Sequence, residues 1–200
     1  MGLICIENLL SNHVDKILMA EDVQKKVRGS VIKGYLDFVR KVWGQQGFDR
    51  CLNALQIKDD FYEGHFKEKN FYPHQILNDI ILWIHEEKGM DYVRRAGKHT
   101  AMDLGILKFI FQFVSFNHLI TRGPKEIKHA YTYGEVKVNR TETGAEILFY
   151  DLSEIPENCA GWLGALQGLM EVTKTKGTVE KTACQLEGAP ACKYVITLDN

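Results

Sequence analysis

Apolar residues recur at helical spacing through most of the first two-thirds of the chain. Ser30 precedes an apolar stripe that Gly44 ends, which predicts a capped amphipathic helix, and residues 48–55 predict a second one. Pro73 stands at the start of a third, strongly amphipathic stretch that stops at Gly89. The N-terminal part of the chain is therefore predicted to be a layer of helices.

The most apolar of the predicted helices lies near the middle of the chain. A short helix over residues 90–96 precedes it, and it runs from Ala101 to about Phe116 with apolar residues on more than one side. Gly123-Pro124 predicts a break, followed by a brief helix over residues 125–130. Such a long helix is expected to be buried on several faces.

Alternation of apolar and polar residues replaces this helical period after residue 132. Residues 133–139 and 145–151 flank a Thr143-Gly144 turn, and residues 178–184 and 191–198 flank a second turn. Between the two pairs, Gly161, Gly164 and Gly168 line one face of a helix, which another backbone could approach closely. The second turn contains Gly188 and Pro190.

The order of these elements predicts an α+β fold, in which an N-terminal helical layer packs on a C-terminal antiparallel sheet with a Gly-rich crossing helix. We predict a polar-apolar lead over residues 1–26 and a single domain over residues 27–200.

Composition narrows the classes of function. The 200 residues carry a formal net charge of -1, which provides no general attraction to nucleic acid or to an anionic membrane. The N-terminus lacks the basic region of a signal peptide, and the longest apolar run, Leu104 to Val114, is interrupted by charged and polar residues. The sequence therefore predicts a cytoplasmic protein without nucleic-acid or membrane partners.

The five cysteines, an odd number without secretory context, indicate reduced thiols rather than a disulfide framework. Cys184 and Cys192 flank the second turn, and the preceding helix can bring Cys159 near them. Two interpretations remain open for the three thiols: ligation of a metal, or plain burial as small apolar side chains.

Catalytic motifs are not evident. The chain has no Gly-x-Ser-x-Gly elbow, no phosphate-binding Gly-rich loop and no His-Glu-x-x-His pair, and its carboxylate pairs Asp59-Asp60 and Glu86-Glu87 are typical of a solvated surface. These observations favour a binding protein over an enzyme.

The C-terminal region resembles a known family. The run Pro156-Glu-Asn-Cys159, the Gly-rich helix and the segment from Cys184 to Ile196 are similar to the end of the 4-vinyl-reductase domain, which also serves phenol-responsive transcription activators as a sensor. The layout of residues 27–198 also resembles the related haem-nitric-oxide-binding-like (H-NOX-like) fold.

The resemblance implies a sensor or carrier that encloses a small hydrophobic or aromatic molecule between helices and sheet, forms a homodimer and signals to a downstream protein. It also implies a structural zinc held by Cys159, Cys184 and Cys192 with Glu180 as the fourth ligand. Residues four apart on a strand point to the same face, which agrees with Glu180 serving beside Cys184. Three thiolates and one carboxylate form a closed tetrahedral site, which suits structural zinc.

The alternative function is a tetrapyrrole-binding protein or haem-based gas sensor, with His99 as the ligand of a haem iron. The Tyr-x-Ser-x-Arg haem-propionate clamp of the haem-binding family is absent, and Tyr131-Thr-Tyr133-Gly-Glu135 stands nearest to it. Tyr131 and Tyr133 are the candidates for a hydrogen bond to the enclosed ligand. Phe109 and Phe113 are candidates for lining its cavity, or else belong to an ordinary apolar core.

Overall fold

The structure is a computed structural model, and it describes residues 25–102 and 115–199. It confirms the predicted α+β class: helices dominate the first part of the chain and antiparallel strands the last part. The elements in chain order are β1 (Lys26–Arg28), α1 (Gly29–Ala54), α2 (Lys58–Tyr62), β2 (Phe71–Pro73), α3 (His74–Lys88), α4 (Met90–Met102), α5 (Phe116–Ala130), β3 (Glu135–Thr141), β4 (Gly144–Tyr150), α6 (Pro156–Val172), β5 (Gly177–Ala183), a 3-10 turn (Gln185–Glu187) and β6 (Cys192–Leu198).

Helix α1 joins the first two predicted helices into one kinked element. The backbone of Gly44 has a φ of 67° and is not helical, so the first helical segment ends there and a second one continues beyond it as far as Ala54. Glycine adopts this left-handed conformation without the steric penalty that a Cβ atom would add. Two helical segments meet at this kink, which confirms the predicted interruption at Gly44 and the predicted second helix beyond it.

The middle of the chain departs from the prediction. Helix α5 runs from Phe116 to Ala130 and passes through Pro124, where the sequence predicted a break. The proline removes one backbone N–H donor from the helix without ending it. Residues 103–114, which hold most of the predicted long apolar helix, lie outside the described residues.

Two sheets organise the strands. The larger has the order β3-β4-β6-β5 with antiparallel pairing throughout, so the two predicted hairpins lie side by side with β4 against β6. The smaller pairs β1 with β2, and an isolated bridge from Val27 to Tyr131 ties it to the start of the larger sheet. This bridge brings the beginning of the described chain to the edge of the C-terminal sheet.

The Gly-rich helix α6 packs on α4, as the glycine pattern predicted that it would pack on some backbone. A Cβ atom added to Gly97, Gly161, Gly164 or Gly168 would meet backbone or side-chain atoms of a neighbouring helix at less than van der Waals distance. On its other side α6 contacts the sheet, where the ring of Trp162 lies 4.7 Å from that of Phe149. Helix α6 is thus the layer between the helices and the sheet.

Within the described ranges, none of the helices has the length and apolar character needed to cross a membrane.

Candidate thiol centre and polar junction

Three cysteines meet where α6 faces the C-terminal hairpin. Cys159 lies in the first turns of α6, Cys184 follows β5, and Cys192 begins β6; all three are buried. The Cys159 sulfur lies 3.8 Å from that of Cys184 and 3.7 Å from that of Cys192, and all three lie within 4.8 Å of one another. The structure therefore brings together the three thiols that the sequence singled out, without a disulfide between them.

The distances between these sulfur atoms can be compared with those in a tetrahedral zinc–thiolate site. Zinc–thiolate bonds of about 2.3 Å at tetrahedral angles place neighbouring sulfur atoms about 3.8 Å apart. The two shortest separations in the cluster match that edge length. The arrangement can hold three corners of a tetrahedral metal site.

Backbone and charge around the cluster favour the thiolate form of one cysteine. Burial raises the pKa of Cys184, but the hydrogen bond from the Leu186 backbone, the Cys159 thiol and the Lys181 ammonium outweigh it and bring that pKa below its ordinary value. The backbone N–H of Gln185 donates to the Cys192 sulfur at 3.3 Å. Donors of this kind stabilise sulfur that carries negative charge.

The pKa of the Cys159 thiol shifts in the opposite direction to that of Cys184. Burial is the main influence on Cys159 and raises the pKa of its thiol to about 12. Without a cation between the sulfur atoms, this cysteine therefore stays a neutral thiol at neutral pH. A bound metal would remove that proton, because thiolate is the form that ligates.

Glu180 is not brought to the three sulfur atoms. In the β5–β6 register it pairs with Val195, whereas its neighbour Lys181 pairs with Tyr194, which lies on the same face of β6 as Cys192. A register shift between Lys181 and Ala183 changes the alternation of the strand, so the four-residue spacing from Glu180 to Cys184 no longer places both on one face. Glu180 is exposed and does not belong to the cluster of possible metal ligands.

A second polar site, which the sequence analysis missed, lies at the junction of α3 and α6. The carboxylate of Glu154 accepts hydrogen bonds from Lys25 Nζ at 2.8 Å and Asn78 Nδ2 at 3.0 Å, and lies 3.0 Å from His74 Nδ1. Both His74 and Asn78 are 3% exposed. This polar junction joins three segments that are far apart along the chain.

The polar junction continues into the first turn of α6 through Asn158. Its side chain donates from Nδ2 to Asn78 Oδ1 at 3.0 Å and accepts at Oδ1 from the backbone N–H of Glu154 at 2.9 Å. A signal for this site was present in the sequence. His74 and Asn78 are polar residues four apart on the same side of α3 as Leu77 and Ile81, where an amphipathic helix ordinarily carries apolar residues.

The two candidate tyrosines border this junction. The ring of Tyr131 lies 5.8 Å from that of Tyr133 and 5.5 Å from Trp162, and the Tyr133 ring lies 5.0 Å from His74. The hydroxyl of Tyr133 is buried and has no hydrogen-bond partner among the described residues. Burial raises the pKa of both phenols far above the ordinary value, so they are neutral donors. An unpartnered buried donor is costly to leave unsatisfied, and a ligand acceptor would relieve it.

The remaining candidate ligand residues lie elsewhere. His99 is half-buried near the end of α4, with its ring 5.8 Å from that of Phe38. Phe109 and Phe113 lie outside the described residues. The structure thus brings Tyr131 and Tyr133 together, and places His99 within the helical layer.

The stretch nearest to a haem-propionate clamp carries the wrong charge for that role. Glu135 begins β3 and is exposed, and its carboxylate lies 3.7 Å from Lys137 Nζ. Within residues 131–135 no arginine or lysine is present to neutralise a propionate.

Comparison with known proteins gives a consistent result at the level of the fold. No family model matches the sequence, and no curated protein matches it. Solved structures do match the chain. One is an H-NOX protein from S. oneidensis in the Fe(II)NO ligation state, which has a TM-score of 0.65 and is 16% identical over 86% of this chain and 99% of that one. A mutant of T. tengcongensis H-NOX has a TM-score of 0.58 and 16% identity over 86% of this chain and 98% of that one. A third structure, described as modulating haem redox potential through porphyrin distortion, has a TM-score of 0.66 and is 13% identical over 86% of this chain and 99% of that one.

At identities of 12–16% these matches concern the path of the backbone, not the chemistry of the sites. The relation to the 4-vinyl-reductase family and to phenol sensors stays a prediction. What the comparisons show is that this chain has the fold of H-NOX proteins.

Proposed function

We propose that the chain is a small-molecule sensor domain with the H-NOX fold, and that haem or another tetrapyrrole is its first candidate ligand. The observation that carries the proposal is the match of 86% of the chain to almost complete H-NOX domains, one of which is described in terms of haem distortion. A ligand can change the output of such a domain because it shifts the population toward the conformation that it binds better.

The residues fit a haem in part. His99 offers a half-buried imidazole near the end of α4, and neutral imidazole is a common ligand of haem iron. Glu135 stands where the haem-binding family has a propionate-binding cation, so that position does not supply the cation. A haem would therefore depend on the imidazole and on apolar contacts, which makes a less acidic tetrapyrrole an equally good occupant of the same fold.

Titration with haemin under reducing conditions tests this proposal. We expect a Soret band that saturates at one haem per chain and that weakens or shifts in His99→Ala. The matched control is His65→Ala, because the His65 side chain is 65% exposed and lies on the loop after α2, away from α4. A spectrum of free haemin that neither variant changes would overturn the haem proposal.

A colourless apolar or aromatic molecule is the second candidate ligand, and the tyrosine pair favours it. Tyr133 presents a buried, unpartnered hydroxyl among the described residues, beside the rings of Tyr131 and His74. An aromatic ligand with a hydrogen-bond acceptor would satisfy that donor and stack on the rings. Thermal stabilisation by such compounds, lost in Tyr133→Phe, would support this candidate over haem.

The thiol cluster supports a structural zinc site. The sulfur separations, the N–H donor to Cys192 and the lowered pKa of Cys184 all suit a bound cation. Because Glu180 lies on the other face of β5, the fourth ligand would be another group or water.

Elemental mass spectrometry of the purified protein tests the zinc site. We expect about one zinc per chain, lost in Cys184→Ser and retained in Cys51→Ser. Cys51 is the matched control because it is a buried free thiol of α1 outside the cluster. Zinc-free protein, or equal zinc in both variants, would overturn this part of the proposal.

The sensor role also includes a homodimer, a cytoplasmic location, output through a downstream protein and no chemistry on the ligand. Size-exclusion chromatography with light scattering tests the dimer. Recovery of the bound ligand in unchanged form tests whether the domain leaves its ligand chemically unaltered.

A further inference from the structure

We propose that a partly buried aromatic surface on the helical layer binds an acidic segment of a partner protein. The surface, here called the tryptophan face, consists of Trp43 of α1, Trp83 of α3 and Tyr92 of α4. The inference does not depend on the identity of the sensor's ligand.

The three rings form one continuous group. The ring of Trp43 lies 5.2 Å from that of Trp83 and 5.9 Å from that of Tyr92, both in tilted or edge-on geometry. All three side chains are half-buried rather than part of the closed core. Large aromatic side chains at a partly exposed site are the residues that most often dominate the free energy of protein–protein binding.

The tryptophans keep free hydrogen-bond donors. Trp162, in the interior, donates its indole N–H to the carbonyl oxygen of Leu152 at 3.2 Å. Trp43 and Trp83 have no such acceptor in the described parts of the chain, and neither nitrogen is among the buried unpartnered atoms there. Their N–H groups therefore reach solvent and are available to acceptors of a binding partner.

Three cations lie over two of the rings. Arg50 lies 6.0 Å from the centre of the Trp83 ring, and Lys88 and Arg95 lie 5.4 and 4.4 Å from the centre of the Tyr92 ring. Arg50 also pairs with Glu87 at 3.3 Å, whereas Lys88 and Arg95 have no ion pair in residues 25–102 and 115–199. Two exposed cations are thus left without a carboxylate from these residues at the rim of the tryptophan face.

The backbone holds Trp43 in this place. The positive φ of the next residue, Gly44, kinks α1 at this point. A Cβ atom added to Gly47 would collide with the Cβ atom of Trp43. Two glycines thus set the position of this partly buried ring, which also packs against the core and lies 6.2 Å from the ring of Phe38.

Charge complementarity selects the occupant. Exposed cations and free N–H donors beside apolar rings match a segment that alternates carboxylates with apolar side chains. A nucleic acid would also present anions and stacking bases, but it requires cations along a longer track, and the chain's net charge is -1. The acidic protein segment is therefore the better match.

Fluorescence anisotropy with a labelled synthetic peptide of alternating Glu, Asp, Leu and Phe residues tests the inference in the full chain at low salt. We expect saturable binding that shifts the tryptophan emission and that weakens at least about tenfold in Lys88→Glu/Arg95→Glu, because reversing rim charges repels the peptide. The matched control is Lys69→Glu/Lys128→Glu, which reverses two exposed lysines on other parts of the surface and should leave the affinity unchanged. Circular dichroism confirms that each variant is folded.

Three results would overturn the inference. They are no binding of the acidic peptide, equal weakening by both double variants, and tighter binding of a single-stranded oligothymidylate or of a matched lysine peptide than of the acidic peptide. Since the peptide assay uses neither haem nor zinc, its failure would leave the proposed sensor function untouched, and the failure of haem binding would leave the peptide result untouched.

Discussion

Gly97 of α4 and Gly161 of α6 lie backbone against backbone where the two helices cross, with no room for a Cβ atom on Gly97. The same close approach continues along α6 at Gly164, where a Cβ atom would overlap the carbonyl oxygen of Arg94. Helix α6 positions Cys159 and Asn158, so this crossing sets the geometry of both the thiol cluster and the polar junction.

Gly164→Ala is expected to lower the free energy of unfolding by about 1–3 kcal/mol, the usual cost of overpacking a close helix contact. Urea denaturation followed by circular dichroism measures the change. Gly123→Ala is the control because nothing lies within 4 Å of its Cβ position in α5, and its effect should stay within about 1 kcal/mol. Equal effects of the two substitutions would contradict the close crossing.

The polar junction is expected to make the protein less stable in acid. Burial is the main influence on His74 and lowers the pKa of its imidazole, although the neighbouring Glu154 opposes the shift and Lys25 adds to it. The unfolded chain therefore takes up a proton near pH 6.5 before the folded one does, and stability falls as the pH drops below that value. Tyr131 and Tyr133, which also face His74, remain neutral throughout this range.

Glu154 is also expected to make the protein less stable in acid, but over a lower pH range. Burial would raise the pKa of its carboxyl, but the hydrogen bonds and charges of Lys25 and His74 bring it below the ordinary value. The contribution of Glu154 to the stability is present above the unfolded pKa of about 4.3 and is lost as the pH falls through the pKa of the folded state.

Urea unfolding at pH 7.5, 6.5 and 5.5 should show a smaller loss of stability for His74→Gln than for the wild type. His65→Gln is the exposed control, and a slope that His74→Gln leaves unchanged would rule out this role.

Glu180→Gln is expected to keep the full zinc content, whereas the family resemblance assigned that carboxylate as a ligand. The register of β5 places Glu180 opposite Val195, away from the three sulfur atoms. Elemental analysis of Glu180→Gln beside Cys184→Ser decides between the two views. Loss of zinc in Glu180→Gln would show that β5 shifts its register when metal binds.

Tyr133→Phe should leave the stability unchanged or slightly higher, because its buried hydroxyl has no hydrogen-bond partner among the described residues. Tyr194→Phe is the matched comparison: its hydroxyl donates to the carbonyl oxygen of Cys159 at 3.0 Å, and its loss should cost about 1 kcal/mol. Thermal melts of both variants measure the difference. A cost at Tyr133 as large as that at Tyr194 would show that the hydroxyl has a structural partner.

The C-terminal half of the fold could be predicted from the sequence because its signals are local. Alternation identified the four strands of the larger sheet, and the Gly161, Gly164 and Gly168 pattern identified a closely packed helix. The meeting of Cys159, Cys184 and Cys192 followed from one helix and one hairpin.

The parts that could not be predicted depend on irregular backbone or on distant partners. A single register shift near Ala183 removed Glu180 from the thiol face, and strand period alone does not reveal such a shift. Glu154 and His74 are eighty residues apart in the sequence, and the packing of α3 on α6 brings them together.

Asn158 and Cys159 are consecutive residues, yet one belongs to the polar junction and the other to the thiol cluster. The first turn of α6 is therefore common to both sites, and a cation held by the sulfur atoms would restrain the same turn whose amide anchors α3. Under the zinc proposal, loss of the metal from the thiols would therefore also weaken the resistance of the polar junction to acid.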